Sequence, residues 1–368
     1  MSKVLRAIGL MSGTSLDGID VALIETDGEA QVVRGPAATV PYPTDFRDRL
    51  RQCLDTARTL TSRTVRPGTL AEVELELTER HAEAVDHFLS NHSLQRAGID
   101  VIGFHGQTVL HRPNQALTVQ LGDGPLLAKL TGIDVVYDLR AADCAAGGQG
   151  APLVPVYHRA LVERLPQKPV AVVNIGGVAN VTFIGLDGSL IAFDTGPGNA
   201  MIDDWMGRQT NRAFDAHGNF AATGTPSEDH LAEYLKHSHF AAVPPKSLDR
   251  NAFPIELISD LSAADGAATL TAFTAASIAR AREHMPQEPT LWIICGGGRK
   301  NRTLMRMLAA RVENAVVPSE AVGLDGDSLE AEAWGYLAVR SLQGLPITFP
   351  GTTGVQQPLS GGVLAKAR

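Results

Sequence analysis

The stretch Ala7-Ile8-Gly9-Leu10-Met11-Ser12-Gly13-Thr14-Ser15-Leu16-Asp17-Gly18-Ile19-Asp20-Val21-Ala22-Leu23-Ile24 consists of two apolar runs joined by a turn of small, hydroxylated and acidic residues. Both runs have strand character, so the stretch reads as a β-hairpin. Its turn offers backbone N–H groups at Gly13 and Gly18, hydroxyls at Ser12, Thr14 and Ser15, and carboxylates at Asp17 and Asp20. Amides and hydroxyls suit phosphate oxygens, while a carboxylate suits a hydrated Mg²⁺. Residues Gly13, Thr14, Ser15, Leu16, Asp17, Gly18, Ile19 and Asp20 therefore form a candidate phosphate loop, with Asp17 or Asp20 as the candidate metal carboxylate. Gly, Ser and Asp are also the ordinary residues of a hairpin tip. A repeat further along the chain separates the two readings.

That repeat runs Val172-Val173-Asn174-Ile175-Gly176-Gly177-Val178-Ala179-Asn180-Val181-Thr182-Phe183-Ile184-Gly185-Leu186-Asp187-Gly188, then Ile191-Ala192-Phe193-Asp194-Thr195-Gly196-Pro197-Gly198-Asn199. Again an apolar strand meets a glycine turn, a second strand leads away, an Asp-Gly turn follows and a third strand returns. The N-terminal segment has the same plan, with Thr26-Asp27-Gly28 as its second turn. One such hairpin in each half of the chain is an internal duplication, and it makes Gly176, Gly177, Gly196 and Gly198 candidate phosphate contacts. Two such loops facing each other would clamp a nucleotide's phosphates between two lobes.

A third glycine run, Gly296-Gly297-Gly298, ends the buried-type strand Leu291-Trp292-Ile293-Ile294-Cys295, and a helix begins after Asn301. Backbone without Cβ atoms can approach a flat ring, so Gly296, Gly297, Gly298 and Asn301 are candidate adenine contacts. The run lacks the G-x-G-x-x-G spacing and the following βαβ unit of a dinucleotide site.

The three glycine elements, in this order, resemble the actin-like ATPase and sugar kinase superfamily. Within it, Gly9 to Asp20, Phe104-His105-Gly106-Gln107-Thr108 with His111-Arg112-Pro113, Gly147 to Pro155, Phe193 to Asn199 and Leu329-Glu330-Ala331 resemble the anhydro-N-acetylmuramic acid kinase family over nearly the whole chain. The resemblance implies an α/β, two-lobed actin-like ATPase (ribonuclease H-like) fold with duplicated mixed-sheet lobes around a central cleft. It also implies a cytoplasmic, homodimeric enzyme of cell-wall recycling. Such an enzyme takes 1,6-anhydro-N-acetylmuramic acid, ATP and water to N-acetylmuramic acid 6-phosphate and ADP, with Mg²⁺. Two departures stand out. Leu248-Asp249-Arg250-Asn251 follows Pro244-Pro245-Lys246-Ser247 where the family usually has Thr-Gly-Arg-Glu, and Trp334-Gly335-Tyr336 replaces a more usual Phe-Ala-Trp. The second reads as repacking within a helix.

The 368 residues suit two lobes. Residues 1–144 are expected as the first lobe, 145–345 as the second with the catalytic Asp and adenosine loop, and 346–368 as a segment returning to the first. The stretch Ala145 to Pro155 is the expected crossing, with Gly147, Gly148 and Gly150 as its hinges. A hydrophobic content of 44% with 20% charged residues is ordinary for a globular protein. The net charge of −8 disfavours nucleic acid or an anionic membrane as partner. Cys53, Cys144 and Cys295 are widely spaced and signal neither a disulfide framework nor a zinc site. The sequence shows no signal region and no apolar run of about 18 residues, which also points to the cytoplasm.

Opening a 1,6-anhydro bridge needs water activated by a base. Asp194 ends a strand beside a glycine turn and is the candidate base, in agreement with the family motif; a turn-capping or Mg²⁺-ordering Asp is its alternative. The motif also puts Glu330 near the sugar, as a ligand to the attacking water or a hydroxyl, whereas Glu332 reads as a surface residue. His105, Gln107 and Thr108, at the expected end of the strand Asp100 to Phe104, offer donors and acceptors for sugar hydroxyls and an acetamido group. Arg140 is the candidate partner of the substrate carboxylate, and Asp143 would orient Arg140 or bind a hydroxyl. An ordinary sugar kinase, which phosphorylates a free hydroxyl without consuming water, and a nucleotide-switched binding module are the competing functions.

Overall fold

The computed structural model describes residues 3–13 and 15–367. Thr14 of the candidate phosphate loop lies outside the described residues.

The strands are β1 (Leu5–Ser12), β2 (Gly18–Thr26), β3 (Val32–Pro41), β4 (Val101–Arg112), β5 (Leu117–Leu121), β6 (Val135–Tyr137), β7 (Val170–Ile175), β8 (Val178–Ile184), β9 (Leu190–Pro197), β10 (Leu291–Cys295), β11 (Ala315–Pro318) and β12 (Val363–Ala365). They form two mixed sheets, ordered β12-β6-β4-β1-β2-β3, with β5 paired to β4, and β11-β10-β7-β8-β9. The duplication read from the sequence is a duplication of topology. In the first sheet an antiparallel meander β1-β2-β3 is extended from β1 by parallel β4 and then β6. In the second, the meander β7-β8-β9 is extended from β7 by parallel β10 and then β11.

The chain divides into two compact units, residues 1–163 with 328–368 and residues 164–327. The sequence-based divisions at 144/145 and 345/346 differ from these. One reason is the Leu329–Leu342 helix, which packs on the first sheet so closely that a Cβ at Gly9 would come within 1.7 Å of the Ala331 carbonyl oxygen. A Cβ at Gly103 would come within 2.0 Å of the Trp334 carbonyl oxygen. Glycine on β1 and β4 is what admits this helix. The loop after the Ala141–Ala145 helix, expected as the crossing, is tied down inside the same unit: Gln149 N–H donates to Thr353 O (2.7 Å) and Gly150 N–H to Asp143 Oδ2 (2.6 Å). The C-terminal β12 pairs antiparallel with β6.

In the first unit the Thr44–Ala57 and Leu70–Asn91 helices bury Phe46, Leu50, Leu77, Val85 and Phe88 against the sheet. Leu75 on the second helix is 48% exposed. The Gly124–Thr131 helix starts where Asp123 Oδ1 accepts the Leu126 N–H (2.9 Å) and ends at left-handed Gly132. In the second unit the Ala263–Arg280 helix is buried along most of its length, its Leu270 and Phe273 sharing a core with Trp205, Tyr234 and Phe253. Ser262 caps its start through the Asp265 N–H (3.1 Å). Among the described residues no helix is long and apolar enough to cross a membrane.

Candidate active site

In the first unit the expected end of a strand at His105 is the middle of one. β4 pairs with β1 as far as Gln107, opposite Ser12, and runs on as a hairpin with β5. A register shift between Leu10 and Ser12, together with left-handed Gly106 (φ 69°), bends β4 at the motif. The bend sends His105 and Gln107 against the tip of the first hairpin. Ser12 Oγ, fully buried, donates to Gln107 Oε1 (2.7 Å) and lies 2.8 Å from the Tyr42 hydroxyl. Gln107 Nε2 donates to Gly13 O (3.1 Å). Gln107, 1% exposed, thus braces the backbone of the candidate phosphate loop. Thr108 Oγ1 accepts from Gln120 Nε2 (3.2 Å).

His105 Nδ1 donates to Ser12 O (3.1 Å), which leaves Nε2 to accept from Arg140 Nε (3.2 Å) and Nη2 (3.1 Å). Burial and the guanidinium beside it hold His105 well below the usual histidine range, so it is neutral. Arg140 Nη1 also donates to Gly150 O (2.9 Å), and the guanidinium lies 5.0 Å from the Trp334 ring centroid. Burial lowers the Arg140 pKa to about 10, against which exposed Glu330 is the first opposing charge; Arg140 remains a cation at neutral pH. His105, Arg140 and Glu330 are therefore brought together. Trp334, read from sequence only as repacking, completes this group: its ring lies 4.4 Å from that of His105, and its Nε1 donates to Met11 Sδ (3.0 Å).

Asp143 does not orient Arg140 by a hydrogen bond. Its carboxylate accepts from Gly150 N–H and from Thr353 Oγ1 (2.7 Å) and fixes the glycine loop. Glu332 is a correction: far from being a surface residue it is 1% exposed. Its carboxylate accepts from Arg34 Nε (2.9 Å) and Nη2 (2.7 Å), the Tyr157 hydroxyl (2.7 Å) and Ser328 Oγ (2.8 Å). These bonds anchor the first turn of the helix that carries Glu330.

In the second unit Asp194 lies on edge strand β9 beside a register shift of the β8–β9 ladder. Its Oδ2 accepts the Leu248 N–H (2.8 Å). Partial burial raises its pKa to about 6, the Leu248 bond opposing this. The contact uses backbone, so the departure from the family pattern at Leu248 leaves it intact. Lys246 O accepts the Asp194 N–H (3.0 Å), while its Nζ donates to His239 O (2.8 Å), lies 3.0 Å from His284 Nε2 and 5.3 Å from the Phe193 ring centroid. Burial lowers its pKa to about 8.

Space separates the glycines. A Cβ at Gly18, Gly196, Gly198, Gly296 or Gly298 would come within about 2.2 to 2.5 Å of Val40 O, Ser277 Oγ, Gly176 O, Asn174 Oδ1 or Ile175 Cγ2, so protein packing accounts for those five. At Gly13, Gly176, Gly177 and Gly297 the nearest atoms lie 3.5 to 3.8 Å away, leaving backbone a ligand can approach. The side chains of Leu16 and Ile19 lie in the core, so only their backbone is available. Asn301 caps the Arg302–Val312 helix through the Leu304 N–H (2.9 Å). Asp17, exposed at the hairpin tip, accepts from Ser15 Oγ (2.6 Å), and Asp20 Oδ1 accepts from Thr39 Oγ1 (2.5 Å). The described residues hold no cluster of three or more His, Cys, Asp or Glu fit for a metal ion.

Duplicated, hairpin-led sheets with open glycine backbone at their turns define the class, a duplicated α/β fold with a candidate phosphate loop in each half. The family model described as anhydro-N-acetylmuramic acid kinase matches residues 5–367. Relatives of that name from Bradyrhizobium diazoefficiens and Methylobacterium nodulans are 55% and 53% identical, over 99% and 98% of this chain and all of their own. The chain belongs to the anhydro-N-acetylmuramic acid kinase family. Among solved structures, component A of the (R)-2-hydroxyglutaryl-CoA dehydratase of Acidaminococcus fermentans aligns with 91% of this chain and 99% of its own, at TM-score 0.49 and 13% identity.

Proposed function

We propose that the chain phosphorylates 1,6-anhydro-N-acetylmuramic acid at O6 with ATP while water opens the anhydro ring, giving N-acetylmuramic acid 6-phosphate and ADP. Family membership over residues 5–367 carries this reading. Asp194 takes a proton from water as its oxygen bonds to the anomeric carbon; the bond from that carbon to O6 breaks, and O6 accepts the γ-phosphoryl group. A carboxyl with a pKa near 6 is ionised at neutral pH yet more basic than an ordinary aspartate, as a general base should be. Glu330 orders the water or a sugar hydroxyl, and Arg140, a cation with N–H groups beyond those given to His105 and Gly150, meets the substrate carboxylate.

Backbone at Gly13, Gly176 and Gly177 holds ATP phosphates, and Gly297 lies against the adenine. Mg²⁺ fits the all-oxygen donors of Asp17 and Asp20, since this ion keeps most of its waters and takes one or two carboxylates. When bound, it neutralises charge on the β- and γ-phosphates. Use of ATP in wall recycling, and three buried cysteines that form no disulfide, support a cytoplasmic setting. The test is mass analysis of the product made from ATP, Mg²⁺ and the anhydro sugar. A gain of phosphate plus water is expected; a gain of phosphate alone would make the protein an ordinary sugar kinase, and ATP hydrolysis without a sugar product would leave a binding module.

A further inference from the structure

An edge strand leaves every second backbone N–H and C=O without a ladder partner. β9 is the edge of the second sheet, and Asp194 is one of these outward residues. Its N–H donates to Lys246 O (3.0 Å), and its C=O accepts from His239 Nε2 (2.8 Å). Together with the Leu248 N–H on Oδ2, these bonds make the irregular segment 239–248 a cover that holds Asp194 at three points. Among the described residues no hydrogen-bond donor engages Oδ1, whereas Oδ2 is held by Leu248.

The bond from His239 is the only one of the three made by a side chain. The imidazole is buried, 7% exposed, and its own carbonyl is tied to Lys246 Nζ (2.8 Å). Because Nε2 must carry a proton to donate to a carbonyl, the ring has one fixed tautomer. We propose that His239 is the positioning residue of the catalytic base: its N–H fixes the backbone of Asp194 at the irregular point of β9, and so aims the carboxylate at the water. This inference rests on Asp194 being the base.

Small misplacement of a reacting group costs rate far more than affinity. His239→Leu should therefore lower kcat about 10- to 100-fold with KM for ATP and for the anhydro sugar changed less than about 2-fold. His239→Gln, whose amide N–H can take the place of Nε2–H, should recover most of the loss. On an Asp194→Asn background, which keeps the fold but removes the base, His239→Leu should cost nothing further, because its effect is exerted through that carboxylate. Unchanged kcat in His239→Leu, an equal loss in His239→Gln, or an equal further loss on the Asp194→Asn background would each overturn the role of His239. Near-normal turnover in Asp194→Asn alone would instead remove the base itself, a result read before any His239 variant is made.

Discussion

Replacing Arg34 by Met should test whether Glu332 is a buried charge. The Glu332 side chain is 2% exposed and that of Arg34 21%, so the carboxylate depends on its partners far more than the guanidinium does. Arg34→Met removes the guanidinium on that carboxylate and its N–H donors, while the hydroxyls of Tyr157 and Ser328 remain. Breaking a buried ion pair from one side costs about 3 to 5 kcal/mol. With a urea m-value of about 3 kcal/mol/M, expected for a unit of this size, the unfolding midpoint should fall by about 1 to 1.7 M. Trp334 lies two residues beyond Glu332 on the same helix, and a Trp205→Phe/Trp292→Phe background leaves it the only tryptophan. Its fluorescence therefore reports the unit concerned. Arg34→Met/Glu332→Met should be more stable than Arg34→Met alone, because it leaves no uncompensated charge. A midpoint shift below about 0.3 M for the single variant, roughly 1 kcal/mol at the same m-value, would mean that solvent reaches the carboxylate and the buried anchor does not exist.

Asp194→Asn should keep ATP and sugar binding while lowering kcat by about 10² to 10⁴, checked by steady-state kinetics beside equilibrium binding. Since the base must be ionised and its pKa is raised to about 6, kcat/KM should climb with pH up to about 6 and level off above; an acid limb at the ordinary aspartate value would contradict the effect of burial. Gly177→Val should fold yet lose ATP affinity by calorimetry, because the nearest protein atom to its Cβ is 3.6 Å away, whereas Gly9→Ala should unfold the first unit. Retained ATP affinity in folded Gly177→Val would rule out nucleotide contact there. Arg140→Lys cannot supply His105 and Gly150 O together, and should raise KM for the sugar about tenfold or more with KM for ATP nearly unchanged. Equal rises in both would make Arg140 a residue of the fold alone.

The duplicated plan was legible because it is local: alternating apolar runs, glycine turns and an Asp-Gly second turn recur in both halves and become two meanders of one topology. What escaped was set by partners distant in sequence. Glu332 looks like any helix carboxylate until β3 brings Arg34, 298 residues away, against it. His105 and Gln107 read as groups facing a ligand, but a bend in β4 turns both to the first hairpin, and only the structure places Trp334 over His105 and Arg140. The glycines looked alike in sequence; the space beside each one separates packing from access. His239 lies in a loop with no periodic pattern, and the one available signal was a histidine shortly before the Pro-Pro-Lys-Ser motif. Leu248 seemed to break that motif, yet its contribution is a backbone N–H that any residue but proline supplies.

The central claim, that water opens the anhydro ring as O6 takes the phosphoryl group, is tested most directly by one turnover experiment in heavy-oxygen water with ATP, Mg²⁺ and 1,6-anhydro-N-acetylmuramic acid. Mass fragmentation of the product should find one heavy oxygen at the anomeric carbon, in product trapped before free-sugar exchange, and none in the phosphate ester. An unlabelled anomeric oxygen, or label found only in the phosphate, would contradict water attack at that carbon and the role of Asp194 with it.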